Sequence, residues 1–213
     1  MRRDKNYQIK LMSALTKVWP GQEPEEDPCC SVFTMLRGET FSFVAAYTCG
    51  GEGNSAAVVR VESPVEQYCR IREIVPVPSI RPVNSRVDSN YLCTRPGMYP
   101  DLLTEPAGGC VTFTPGQFKS LWIDMEIPEN GPYGKFPFAV VFVSPEGEEL
   151  CRRETSIQVY QTVLGPQRLI HTEWFHGDCL ADYYRVPVFS EEHWKIMENF
   201  ICLLYTSDAA DDK

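Results

Sequence analysis

The 213-residue chain contains no C-x-x-C motif, no clustered Lys/Arg stripe and no run of the ~18–20 apolar residues that a membrane span needs. Each absence removes a class of function. Formal net charge is -9 with a pI near 4.9, and phosphate neutralisation needs basic density, so nucleic acid and anionic membrane surfaces are poor candidates and neither is expected as a partner. A neutral or cationic ligand fits that balance better. The start MRRDKNYQIKLMSALTKVWPG is basic, but Gln8, Lys10, Ser13 and Lys17 interrupt any apolar core of a secretory leader. Nine cysteines show no disulfide framework, and the adjacent pair Cys29–Cys30 suits neither a zinc ribbon nor a redox motif. They read as reduced thiols serving as small apolar residues, which implies a cytoplasmic protein.

Helical periodicity is also scarce from Tyr7 to about Tyr160. Short alternating runs take its place. In LWIDMEI, Leu121, Ile123, Met125 and Ile127 share one face, and Trp122, Asp124 and Glu126 the other. FTMLRGETFSFVAAY predicts two strands around a turn at Arg37–Gly38–Glu39. FAVVFVSPEGEELCRRETSIQVY repeats that plan around Ser144-Pro145-Glu146-Gly147, and SAAVVRVES is a further β-branched run. About seven or eight strands with turns between them predict a mainly β fold, an antiparallel β-sandwich over residues 1–163. The long stretch VPVPSIRPVNSRVDSNYLCTRPGMYPDLLTEPAGG reads as irregular: Pro76, Pro78 and Pro82 break ladders, and Pro96-Gly97 suits a type II turn. It serves either as a connector or as a ligand-facing loop.

After Val163 the character changes. GPQRLIHTEWFH predicts a turn and then a strand; FSEEHWKIMENFI predicts a helix capped by Ser190, with Glu191 and Glu192 in its first turn. Trp194, Met197 and Ile201 form the expected apolar stripe, with Phe200 beside them, and His193 is expected to be exposed. Strand, long loop and amphipathic helix make the opening of a β/α unit over residues 164–201.

On the predicted strand Trp174, His176 and Asp178 share a face, with His171, Glu173 and Phe175 opposite. A flat apolar ring beside two hydrogen-bonding groups is the chemistry that holds a sugar: stacking on a C–H face plus polar contacts to hydroxyls. The plainer alternative is that His176 and Asp178 simply pair with each other. Ligation by His176, Asp178 and Cys179 would require residues split across two faces, so no metal is expected. Cys179 lacks a partner that would orient His176, which weighs against a Cys–His nucleophile. Tyr183 and Tyr184 are expected to pack.

The run QRLIHTEWFHGDCLADYYRVPVFSEEHWKIMENFI resembles the start of the catalytic barrel in glycoside hydrolase family 123, once catalogued as domain-of-unknown-function family 4091. VPVPS, NYLCTRPGMYPDLL and GQFKSLWIDMEIP resemble, in order, the β-sandwich preceding that barrel. The resemblance implies hydrolysis of a terminal β-linked N-acetylgalactosamine or a related N-acetylated amino sugar, without a cofactor. The substrate's own acetamido group acts as nucleophile, an exception to the two-carboxylate scheme. In the family an adjacent Asp-Glu pair on a later barrel strand orients that group and supplies the general acid/base. No Asp-Glu dipeptide occurs in this sequence, so no catalytic residue carries over and only Trp174, His176 and Asp178 are expected to contact substrate. The segment CLLYTSDAADDK, residues 202–213, resembles a transposon-end sequencing adapter read through in frame. The expectation is therefore a sandwich plus the first β/α unit of a truncated (β/α)8 barrel, inactive by itself, with the sandwich packing on the rest of the barrel. A non-catalytic carbohydrate-binding sandwich module is the alternative.

Overall fold

The computed structural model describes residues 6–80, 91, 93–165 and 176–208. The chain divides into two compact units, Met1–Val163 and Leu164–Lys213. The first is mainly β. Its described strands are β1 (Gln8–Ser13), β2 (Phe33–Arg37), β3 (Thr40–Thr48), β4 (Ser55–Glu62), β5 (Cys69–Ser79), β6 (Gly97–Thr104), β7 (Cys110–Phe113), β8 (Lys119–Glu126), β9 (Gly134–Val143) and β10 (Glu149–Val163). Two five-stranded sheets result, in the orders β1-β3-β8-β5-β6 and β2-β10-β9-β4-β7.

Alternation decides which side chains meet between the sheets. Leu121, Ile123, Met125 and Ile127 are fully buried, as the LWIDMEI pattern predicts, and Phe43, Ala45 and Tyr47 of β3 join them. They share one core with Phe113, Phe138, Val140, Phe142 and Ile157 of the other sheet. The aromatic rings give that core its shape: Phe33 stacks on Phe43 with centroids 4.5 Å apart, and Phe113 meets both Tyr47 and Phe142 edge-on at 4.9 Å.

Two expectations change. The sandwich is not purely antiparallel, because β2 runs parallel to β10. β2 and β3 flank the predicted turn, where Gly38 has φ 76°, yet they enter different sheets. Two described parts of the proline-rich stretch, residues 75–79 and 97–104, are also strand. β5 continues through Pro76 and Pro78 and pairs with β6, Val77 opposite Tyr99. Pairing of β5 with β8 ends at Ile74. Among the described residues no strand pairs with β5 on that side beyond Ile74, the edge position in which prolines are tolerated within a sheet. Gly97 opens β6 and is absent from the glycines with positive φ, which rules out the type II turn. Pro82 lies outside the described residues.

A buried tyrosine makes this unit sensitive to alkali. Tyr47 donates to Glu73 Oε1 at 3.1 Å, and burial, then the Glu73 charge, then that hydrogen bond push its hydroxyl well above the ordinary tyrosine range. An unfolded tyrosine ionises near ~10, whereas folded Tyr47 keeps its proton. The contribution is therefore intact below pH ~10 and is lost above it, at about 1.4 kcal/mol per pH unit. Urea titrations of wild type and Tyr47→Phe across that range should diverge, the wild type losing stability faster as pH rises. Parallel slopes would refute the assignment.

Candidate functional site

The second unit contains the helices α1 (Gly177–Tyr184) and α2 (Glu191–Asp208) among its described residues. Trp174, together with His171, Glu173 and Phe175, lies outside them. Asp178 is not on a strand. It sits in the first turn of α1, where a carboxylate complements the positive end of the helix dipole. His176 is the residue before that helix, with extended φ/ψ of -93° and 95° and no side-chain capping bond. The chain turns into a helix at Gly177, so the strand-face grouping of His176 with Asp178 is replaced by a helix N-terminal one. Their side chains remain neighbours: His176 Nδ1 lies 4.0 Å from Asp178 Oδ1, with side-chain exposures of 89% and 72%. An ion pair that exposed contributes at most about 1 kcal/mol. Two polar groups facing solvent at one turn are thus available to a ligand rather than consumed by each other.

α1 stops because Arg185 takes the left-handed conformation (φ 58°, ψ 43°) and Pro187 follows two residues later. α2 begins as the sequence predicts, with Ser190 Oγ accepting the His193 N–H at 3.2 Å. It runs to Asp208, into the segment 202–213.

The buried stripe of α2 is displaced by one residue from the expected one. His193 is fully buried, Met197 is 6% exposed, and Trp194 and Ile201 are exposed. Counting histidine as polar sent the stripe to Trp194. Geometry shows why His193 turns inward: its Nδ1 accepts the Phe189 N–H at 2.9 Å and its Nε2 lies 2.7 Å from the Gly177 carbonyl oxygen. Both ring nitrogens are satisfied, so its burial carries no penalty for a missing bond. No sequence signal short of the α1–α2 contact could have found this. Tyr183 is 80% exposed and so does not pack as expected; Tyr184 is half-exposed and approaches Phe200, centroids 6.4 Å apart. Phe189, in a left-handed conformation at φ 58°, stacks near Trp194 at 5.7 Å, and both rings are exposed.

Unit one has an open cleft of about 630 Å3 lined by Arg60, Val61, Glu62, Glu66, Gln67, Cys69 and Ile71. Two of its charges, Arg60 and Glu62, are already paired with each other. Arg152 bonds both Glu62 and Glu149, and chiefly that bond holds Glu62 below the usual carboxylate range. Burial pushes the Cys69 thiol up to about 12, which keeps it protonated and unreactive at neutral pH. No aromatic ring lines the cleft, so it lacks a stacking surface for a sugar. Among the described residues no three His, Cys, Asp or Glu side chains are grouped to hold a metal ion.

A family 123 glycoside hydrolase from Clostridium perfringens, studied for glycolipid glycan hydrolysis, is similar in structure over 91% of the chain, with 14% identity and a TM-score of 0.64. Residues 174–210 match the family model for the glycoside hydrolase 123 catalytic domain. The C-terminal unit is thus similar to the start of that family's catalytic domain. The matched residues of that family 123 domain include His176, Asp178 and both helices. The chain spans 35% of the Clostridium protein's length. The SrpA adhesin of Streptococcus sanguinis shares 11% identity over 73% of this chain and 58% of its own, with a TM-score of 0.34. The macrocyclisation catalyst AvmM shares 11% over 78% and 93%, at 0.38. Neither score bears on fold or function. No curated protein sequence matches the chain.

Proposed function

We propose that the chain is the N-terminal portion of a retaining glycoside hydrolase that removes a terminal β-linked N-acetylgalactosamine, or a related N-acetylated amino sugar, by substrate-assisted hydrolysis. The match of residues 174–210 to the family 123 catalytic domain carries this reading. Residues 164–201 supply the first β/α unit of a (β/α)8 barrel, and the residues at the end of its strand face the sugar, as strand ends do in barrels of this type. Trp174 stacks on the pyranose; His176 and Asp178, exposed and side by side, bond its hydroxyls. Nine cysteines whose spacing shows no disulfide framework fit a reducing, cytoplasmic setting.

The 213-residue chain itself is inactive in this proposal, because it contains no Asp-Glu dipeptide to orient the acetamido group and protonate the leaving oxygen. The purified chain should release no chromophore from 4-nitrophenyl N-acetyl-β-galactosaminide. Release above the enzyme-free rate would overturn the assignment of inactivity. Sequencing the source DNA across the Ile201 codon, from a library made without transposon adapters, should extend the frame to an Asp-Glu pair at a strand end. A frame that ends at Lys213 would instead favour a carbohydrate-binding module.

A further inference from the structure

We propose that His193 is the positioning residue of the sugar site, fixing the His176–Gly177–Asp178 segment through the Gly177 carbonyl. The inference rests on the assignment of His176 and Asp178 to sugar binding and names what holds them in place.

Three observations carry it. His193 is fully buried in a unit whose neighbouring side chains, Trp194 and Phe189, are exposed. Its two nitrogens have fixed and opposite roles. Nδ1 faces the Phe189 N–H, a donor, so it carries no hydrogen; Nε2 then bears the proton and donates it to Gly177 O, 16 residues away in sequence. Gly177 stands between the two proposed ligand residues, at the point where extended chain becomes α1. Its carbonyl belongs to the peptide that leads into Asp178, so anchoring that oxygen sets the plane from which the Asp178 side chain departs and fixes the turn that follows His176. The turn carries a bond from the Cys179 N–H to His176 O at 3.2 Å, and the His193 bond adds a tie from outside α1.

The other end of the imidazole is tied to a residue in an unfavourable conformation. Phe189 has φ 58°, which a bulky side chain rarely adopts, and its N–H reaches His193 in that conformation. His193 thus joins the loop entering α2 to the start of α1. With both nitrogens occupied and no solvent access, the ring neither shuttles a proton to substrate nor ligates a metal. Its action is through Gly177.

The two bonds can be separated by substitution. His193→Gln places an amide N–H near the Nε2 position and keeps the Gly177 anchor; His193→Asn places an acceptor near Nδ1, keeps the Phe189 contact and loses the anchor. The full 213-residue chain, labelled with 15N, is titrated with N-acetylgalactosamine while the amides of residues 176–179 are followed. Wild type should show the Nε2–H tautomer at His193. His193→Gln should bind within about 3-fold of wild type and His193→Asn roughly 10-fold more weakly, the upper end of what one lost hydrogen bond is worth. The melting of the β unit should not change. A His193→Asn chain that binds like wild type, or a His193→Gln chain that fails to restore binding, overturns the proposal.

His176→Ala and Asp178→Ala test the underlying site separately. If neither weakens binding, or wild type binds no sugar, the ligand reading of these residues fails. His193 is then judged by hydrogen exchange at Asp178 and Cys179, which must quicken in His193→Asn and return to the wild-type rate in His193→Gln. Equal exchange in all three chains overturns the positioning role outright.

Discussion

Phe113→Ala should remove about 3–5 kcal/mol from the β unit, a large share of the roughly 5–15 kcal/mol that stabilises a domain. Phe113 is fully buried at the end of the four-residue strand β7. Its ring is edge-on to Tyr7 at 5.0 Å and to Tyr47 and Phe142 at 4.9 Å, so it touches strands of both sheets. A short edge strand has few ladder bonds with which to collapse around the cavity, and Tyr47 and Phe142 cannot move without disturbing the rest of the core. Urea denaturation followed by tryptophan fluorescence gives the number. A loss below about 1.5 kcal/mol would mean that the site relaxes and that the aromatic cluster is not the centre of stability.

The second large effect lies on the outer face of the other sheet. Asp124 accepts from Ser42 Oγ at 2.7 Å and Trp122 Nε1 at 2.5 Å with one oxygen, and pairs with Arg72 through the other. The Asp124 side chain is 13% exposed and that of Arg72 25%. Replacing Asp124 by alanine orphans three donors, one of them a guanidinium whose Nε already lacks a partner. The expected loss is roughly 2–4 kcal/mol, with partial exposure of Arg72 keeping it below the cost of a fully enclosed pair. The double variant Asp124→Ala/Arg72→Met should recover part of the loss, because it removes the stranded charge as well. Additive losses in that cycle would show that the network contributes only as separate contacts.

Both effects concern residues whose environment the sequence foretold to different degrees. The core face of β8 was legible because period-two alternation is a property of the strand itself. Trp122 and Asp124 were legible as the opposite face, but the network was not, since Arg72 arrives from β5 and Ser42 from β3, neighbours that only the sheet order supplies. Pro76 and Pro78 misled for a similar reason: whether a missing N–H matters depends on whether a strand lies alongside, which no local pattern records. Ser190 as a cap was readable, because capping is settled within three residues. His193 was not, because its burial depends on a carbonyl 16 residues back. Asp178 was drawn onto a strand by continuing the alternation of HTEWFH past Gly177, where the backbone changes its period from two to 3.6.

The parallel pairing of β2 with β10 has a consequence for synthesis on the ribosome. Arg37 bonds Gln161 O across 124 positions of sequence. At about 5–20 residues per second, β2 leaves the tunnel roughly 6–25 s before the strand that will cover it. Through that interval Phe33 and Met35, both buried in the finished protein, sit on a strand with no bonded neighbour. Closing this sheet is therefore the last event in the making of the β unit, and the second unit starts to emerge as it happens. A pause in translation before β10 has cleared the tunnel would lengthen the exposure of that edge, and one after it has cleared would let the sheet close first.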